Sequence, residues 1–145
     1  YPTVFGNPET SVRTVMAKRT FWEKATILHQ ESHRDEKRSL PLRYSRHYYD
    51  LYRMAKTTVK NEAFKDLALL NEVIAFKRRF YRCPWAKYEE AIPGSIHLLP
   101  PACHAQELEK DYQGMQSMLF GEKPSFTEIM DGIEALENEV NALRG

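Results

Sequence analysis

Cysteine is scarce in this chain: Cys83 and Cys103 are the only two among 145 residues. Two cysteines are too few for the disulfide framework of a small secreted domain. They also form no C-x-x-C pair and no Cys/His cluster of the kind that binds zinc. We therefore expect two buried or idle thiols and no metal site built on them.

Long apolar runs are absent as well. No segment approaches the ~18 consecutive apolar residues that a membrane span requires, and no apolar segment follows a basic start as in a signal peptide. The mean hydropathy is −0.60, and 28% of the residues are charged. These values predict one water-facing globular domain, which we expect in the cytoplasm and without a membrane partner.

Several catalytic motifs are missing too. The chain has no Gly-rich phosphate loop, no G-x-S-x-G and no cysteine with an obvious histidine partner. His29 and His33 lie one helical turn apart and offer a zinc pair, but the metalloprotease pattern H-E-x-x-H needs glutamate where Gln30 stands. The sequence therefore shows no complete active site, and we expect no metal ligand.

The charge is unevenly distributed although the net charge is only +1. Residues 1–60 carry 12 Lys/Arg and 6 Asp/Glu, a balance of +6, whereas residues 61–145 carry 9 and 14, a balance of −5. A basic half attracts phosphates, but surface charges also sort by region without any ligand. Both interpretations remain open.

The hydrophobic pattern predicts an all-α domain of about five helices, preceded by one short strand. The strand is SVRTV at 11–15, which alternates and is rich in β-branched residues. Helices follow with apolar stripes at helical spacing. The predicted inward residues are Ala17, Phe21, Ala25, Leu28 and Ser32 in the first helix, Tyr44, Tyr48, Leu51, Tyr52, Ala55 and Val59 in the second, and Ala63, Leu67, Leu70, Ile74 and Tyr81 in the third. The first three are predicted at 17–32, 45–58 and 62–81, and prolines 84, 93, 100 and 101 predict a loop-like segment after them, with Trp85, Tyr88 and Ile92 covering the core.

The last two helices are predicted to form an antiparallel hairpin over residues 102–145. Their stripes, Ala105 to Leu119 and Phe126 to Leu143, step by three and four residues, a spacing that favours two helices packed side by side. Gly121 is suited to end the first in a left-handed conformation, and Ser125 with Glu128 predicts a capping box for the second.

Two polar features do not fit a plain helical surface. Lys24 lies roughly 40° from the centre of the first apolar stripe, on the rim of the expected core. Asp50 lies between Arg46 and Arg53 on the face opposite the second stripe. The plain interpretation is a snorkelling lysine and surface ion pairs worth ~0.3 to 0.5 kcal/mol each.

Three segments suggest a family. RTFWEKATILHQESHR, followed by LPLRYSRHYYDLYRM, resembles the latter part of the AbiEii-type nucleotidyltransferase toxins, and DYQGMQSMLFGEKPSFTEIMDGIEALENEVN is similar to the end of these proteins. The resemblance implies that residues 1–145 are a single helical domain, the carboxy-terminal fragment of a larger nucleotidyltransferase. Its amino-terminal domain would hold a Gly-Ser segment and metal-binding aspartates. The first residue, Tyr1, and the turn-rich opening YPTVFGNPET agree with such a fragment.

The resemblance also implies site residues. The family's third motif, a lysine after a glutamate on a helix, falls on Glu23 and Lys24, and implies that Lys24 contacts the nucleotide's phosphates. The fourth, commonly Arg-Asp-x-x-Asp, falls on RHYYD, so that nucleotide-binding Arg46 and catalytic Asp50 match while His47 replaces the first aspartate. No role is assigned to His47.

The implied reaction is nucleotidyl transfer from a nucleoside triphosphate, with Mg²⁺, to an unidentified acceptor. The implied partners are the amino-terminal nucleotidyltransferase domain, a cognate antitoxin and an RNA acceptor such as tRNA, although a protein acceptor fits equally well. The alternative is a non-catalytic helical module that binds an antitoxin or RNA. The two hypotheses differ in whether Lys24 and Asp50 share one cleft.

The purified 145 residues should transfer no nucleotide, because the family's metal-binding aspartates are expected in the amino-terminal domain. Neither Mg²⁺ nor a triphosphate is expected bound to this fragment. The measurement is transfer of label from each radioactive triphosphate in the presence of Mg²⁺. Transfer above a protein-free control would show that the chain holds a complete active site.

Overall fold

Helices dominate the fold, which is seen in a computed structural model that describes residues 8–116 and 123–143. Within these residues there are six α-helices: α1 (Pro8–Ser32), α2 (Ser45–Met54), α3 (Thr58–Phe64), α4 (Leu67–Phe80), α5 (Ala102–Met115) and α6 (Phe126–Asn141), with a 3₁₀ helix at Tyr88–Glu90. The predicted all-α class is confirmed. None of the helices in these ranges is both long and apolar enough to cross a bilayer.

The predicted strand at 11–15 is wrong. Those residues lie in α1, which begins at Pro8 and continues for 25 residues without a break. A proline is well suited to the first turn of a helix, because its missing N–H has no intrahelical partner there. β-Branched residues disfavour a helix by only a few tenths of a kcal/mol each, so a short alternating segment does not interrupt it.

Helix α1 is the centre of the fold, and α2, α3 and α4 pack around it. The predicted inward residues Phe21, Ala25 and Leu28 are fully buried, as is their neighbour Trp22. The indole N–H of Trp22 donates to the backbone oxygen of Ala63 at 3.2 Å, which fixes α3 against α1. Burial of two large aromatic rings makes this face the main apolar contact of the domain.

The predicted second and third helices are divided differently in the structure. Helix α2 ends at Met54 rather than near 58, and the predicted helix 62–81 is two helices, α3 and α4. Each new start has a side-chain cap: Thr57 accepts from the N–H of Val59, and Asp66 accepts from the N–H of Leu69. These short polar side chains bind the backbone and so favour a helix start over a continuous helix.

The last two helices pack on α2 rather than chiefly on each other, within the part of the chain that the structure describes. The predicted side-by-side packing therefore needs correction, because both apolar stripes face the buried tyrosines of α2 instead. The capping box of Ser125 and Glu128 is confirmed. Gly121 and the expected end of the fourth predicted helix near 119 lie outside the described residues.

The proline-containing segment 81–101 is largely irregular, as predicted. Side chains of α6 satisfy its backbone: Glu137 accepts from the N–H of Leu98 at 2.6 Å, and Asn141 bonds to both the N–H and the oxygen of Ile96. Of the three residues predicted to cover the core, Tyr88 is buried and Trp85 half-buried, whereas Ile92 is exposed. Ile96 and Leu98 are fully buried and cover the core instead of Ile92, because side chains of α6 bind their backbone.

Gly132→Ala should destabilise the fold by about 1 to 3 kcal/mol. A Cβ atom there would lie 2.6 Å from Cδ1 of the buried Tyr52 ring, where α6 meets α2. The higher helix propensity of alanine, about 1 kcal/mol, offsets only part of this cost. Gly114→Ala on α5 is the matched control, since its nearest atom is the Arg43 Nη1 at 3.9 Å. Urea denaturation should show Gly114→Ala to be as stable as the wild type or more stable. Equal stabilities of the two variants would contradict the close packing of α6 on α2.

Candidate functional site

Lys24 and Asp50 meet where α1 crosses α2. The ammonium of Lys24 lies 3.2 Å from Oδ2 of Asp50, and both side chains are about one-fifth to one-quarter exposed. The two residues are 26 positions apart in the sequence, and only the packing of α1 on α2 joins them. The lysine on the rim of the core therefore has an acidic partner on the neighbouring helix.

His47 is the second partner of Lys24. Its Nδ1 lies 3.0 Å from Lys24 Nζ, and because an ammonium only donates, the ring nitrogen must accept. Burial, followed by the nearby charge of Lys24, lowers the pKa of His47 to about 4. The imidazole is therefore neutral near pH 7 and fits the acceptor role.

Asp50 also binds Arg46. The Arg46 Nε donates to Oδ1 of Asp50 at 3.0 Å, so the two carboxylate oxygens are shared between an arginine and a lysine. The predicted pair between Asp50 and Arg46 at i−4 is thus present. Arg53 lines the same groove as Asp50, but its guanidinium lies over the ring of Tyr49, 5.9 Å from the centroid.

Two clefts meet at Lys24. The smaller, of about 350 Å³, lies between α1 and α2 and is lined by Thr20, Lys24, Tyr49, Asp50, Arg53 and Met54. The larger, of about 630 Å³, lies on the other side of Lys24, with residues of α4 and of the segment after it on its walls. Lys24 and Asp50 therefore share one groove, and Lys24 also reaches a second cavity of ligand size.

Glu23 supports this region through both its side chain and its backbone. The carboxylate lies 3.4 Å from Arg19 Nε, one turn earlier on α1. The backbone oxygen accepts from Nζ of Lys77 on α4 at 3.0 Å. Glu23 thus lies beside Lys24 but does not contact Asp50.

Sequence reasoning missed Lys77 and left His47 without a role. A signal for Lys77 was present, because position 77 continues the inward spacing of Leu70, Ile74 and Tyr81. It was hidden in the basic segment KRRFYR, a composition typical of a helix C-terminus. For His47 the sequence carries no such signal, since its contact with Lys24 exists only across two helices.

The two histidines of the candidate zinc pair are engaged in other bonds. Nε2 of His29 donates to the backbone oxygen of Lys87 at 2.8 Å, and Nδ1 accepts from the N–H of His97 at 3.1 Å. Nδ1 of His33 lies 3.0 Å from the oxygens of Ser32 and His29. His29 therefore has no nitrogen left for a metal and instead fixes the segment 81–101 on α1.

Comparison with known proteins identifies a family. A family model described as "Nucleotidyl transferase AbiEii toxin, Type IV TA system" matches residues 1–135. No curated protein matches the chain, and no solved structure matches it either.

Stability should fall as the pH drops from about 6.5 to about 4, because burial lowers the pKa of His29 to about 4. In the unfolded chain His29 has an ordinary histidine pKa near 6.5 and binds a proton in this pH range. In the folded chain it does not, so lowering the pH favours the unfolded state. The loss from His29 is at most about 3 kcal/mol, and His47 acts in the same direction. His29→Gln, which retains a donor and an acceptor, should flatten the pH profile of urea denaturation. Identical profiles for wild type and His29→Gln would contradict this assignment.

Proposed function

The chain belongs to the AbiEii nucleotidyltransferase toxin family of type IV toxin–antitoxin systems, and from that premise we propose that it forms part of an enzyme site for nucleotidyl transfer. A nucleoside triphosphate donates the nucleotidyl group to an acceptor that we leave unidentified, and pyrophosphate leaves as the bond between the α-phosphorus and the acceptor forms. The observation that carries the proposal is the pairing of Lys24 with Asp50 in one groove.

Lys24 is proposed to bind a phosphate oxygen. Its ammonium has three N–H donors, of which Asp50 and His47 engage two. The third is left for a ligand in the clefts on which Lys24 borders. A compact positive charge held by two fixed partners can meet the negative charge that develops during phosphoryl transfer without first reorganising.

The uncharged ring of His47 leaves the positive charge of Lys24 available for a ligand. An aspartate at position 47, which the family commonly carries there, would add a second negative charge beside the ammonium. The imidazole accepts the hydrogen bond of Lys24 but does not neutralise it. We therefore assign His47 the role of positioning Lys24.

Asp50 is proposed as the catalytic carboxylate that takes a proton from the attacking hydroxyl. Arg46 holds one oxygen through Nε, and its guanidinium is half-exposed, so that its other N–H groups can reach a phosphate. Glu23 supports the site by keeping α1 in place against α4. These roles agree with the charges that a nucleotide and an acceptor hydroxyl require.

A divalent metal ion and a triphosphate are general requirements of nucleotidyltransferases. Among the described residues, no group of three His, Cys, Asp or Glu side chains is arranged to hold a metal ion. Asp50 is a single carboxylate already bound by two cations. We therefore propose that Mg²⁺ is held by aspartates of an amino-terminal nucleotidyltransferase domain, and that residues 1–145 are the carboxy-terminal part of that protein.

The family assignment also supports a cognate antitoxin as a partner. An RNA acceptor is one candidate class, because residues 1–60 carry a net charge of +6 and would attract a phosphate backbone. We propose the cytoplasm as the place of action, where triphosphates and RNA are both abundant. A binding module without catalysis is the competing hypothesis, and substitution of the paired residues separates the two.

In the complete protein, Lys24→Met and Asp50→Asn should each lower nucleotidyl transfer by at least about a hundredfold, since each removes a charge from the reacting site. Both variants should remain folded, because partly exposed ion pairs contribute no more than about 1 kcal/mol. The matched controls are Lys65→Met and Asp131→Asn, which remove the same charges from exposed positions. The measurement is label transfer to total cellular RNA and protein, together with growth arrest on expression. A folded Lys24→Met or Asp50→Asn protein with full transfer would favour the binding module.

A further inference from the structure

Lys77 is a buried lysine without an acidic partner among the described residues. Its residue is only 8% exposed, and its ammonium donates to the backbone oxygen of Glu23 at 3.0 Å. The described lysines that do form ion pairs, Lys18, Lys24 and Lys60, are all more exposed than Lys77. A buried ammonium is costly unless a negative group compensates it, and one carbonyl oxygen compensates it only in part.

Lys77 and Lys24 both line the larger cleft, Lys77 from α4 and Lys24 from α1. The carbonyl that Lys77 binds belongs to the residue directly before Lys24, and both side chains line the 630 Å³ cavity together with Arg82. Burial lowers the pKa of Lys77 to about 8; Glu23 acts to raise it and Lys24 to lower it. The packing of α1 on α4 thus places two like charges close together at one opening.

An anion with several charges is the ligand that fits such a pair. It would compensate the burial of Lys77 and the repulsion between the two ammonium groups at the same time. The rest of the cleft suits a nucleotide, since Tyr44, Phe76 and Tyr88 give aromatic surface and Gln30 gives an amide. Its volume also falls in the usual range of small-molecule sites.

We propose that Lys77 is a second phosphate-binding residue, which together with Lys24 holds the phosphate groups of the triphosphate in the cleft between α1 and α4. The inference rests on the proposed function, because it takes Lys24 as a phosphate ligand. Lys77 approaches from α4, whereas Lys24 approaches from α1, so the phosphates would join the two helices. If Lys77 instead only fastens α4 to Glu23, anion binding does not depend on it.

The test is equilibrium binding of inorganic tripolyphosphate to the complete protein, measured by titration calorimetry without Mg²⁺. Lys77→Met retains the length of the side chain and should weaken binding by at least about tenfold, as should Lys24→Met. Lys65→Met, which removes the same charge from an exposed site, should change binding by less than about twofold. Thermal unfolding should show Lys77→Met to be as stable as wild type or more so, because a buried charge is gone.

The outcomes separate this inference from the proposed function. Tight tripolyphosphate binding by Lys77→Met but not by Lys24→Met overturns the role of Lys77 alone and leaves the proposed function standing. Equal weakening by Lys65→Met overturns a specific site, because the attraction would then be diffuse. Loss of nucleotidyl transfer in Lys24→Met and Asp50→Asn tests the proposed function separately.

A second measurement uses the wild-type protein and so does not depend on the folding of a variant. Acetic anhydride at pH 8 modifies a lysine only through its uncharged amine, so Lys77 should react despite its burial. Saturating tripolyphosphate should slow acetylation of Lys77 severalfold and leave that of Lys65 unchanged, as followed by peptide mass spectrometry. An unchanged rate at Lys77 would overturn the proposal.

Discussion

The burial of one face of α1 is the contact on which the rest of the structure depends. Phe21, Trp22 and Leu28 are fully enclosed by α2, α3 and α4, and such large side chains tolerate little movement in a packed interior. The same helix carries Lys24 at the edge of that face. The rotation of α1 that buries the aromatic rings therefore also sets where the ammonium meets α2 and α4.

Charge at the site is balanced by neighbours of different kinds. Asp50 supplies a negative charge to Lys24 and is itself held by Arg46, whereas His47 accepts a hydrogen bond as a neutral ring. A second positive group, Lys77, is held only by a backbone oxygen. The larger cleft is lined by Lys24, Lys77 and Arg82 and, on the acidic side, by Glu23, and this excess of positive charge favours a phosphate ligand.

Much of the fold follows from helical periodicity. The inward residues of α1, α2 and α6 were predictable because burial repeats every three to four residues along each of them, and the capping box at Ser125 is a local pattern. The short strand was a wrong prediction, because five alternating residues are too weak a signal against a continuing helix. The start of α3 at Thr58 and the break between α3 and α4 were missed because Thr57 and Asp66 cap new helices without any change in the apolar pattern.

The sequence by itself determined the helical class, the buried faces and, through its resemblance to a family, the choice of Lys24, Arg46 and Asp50 as candidate site residues. Only the tertiary structure decided that Lys24 lies 3.2 Å from Asp50, that His47 accepts from it, and that Lys77 lies in the neighbouring cleft. Likewise, α5 and α6 carry stripes suited to each other, yet both pack on α2. The physical reason is that periodicity specifies which face of a helix is buried, whereas the partner of that face depends on how several helices fill one core together.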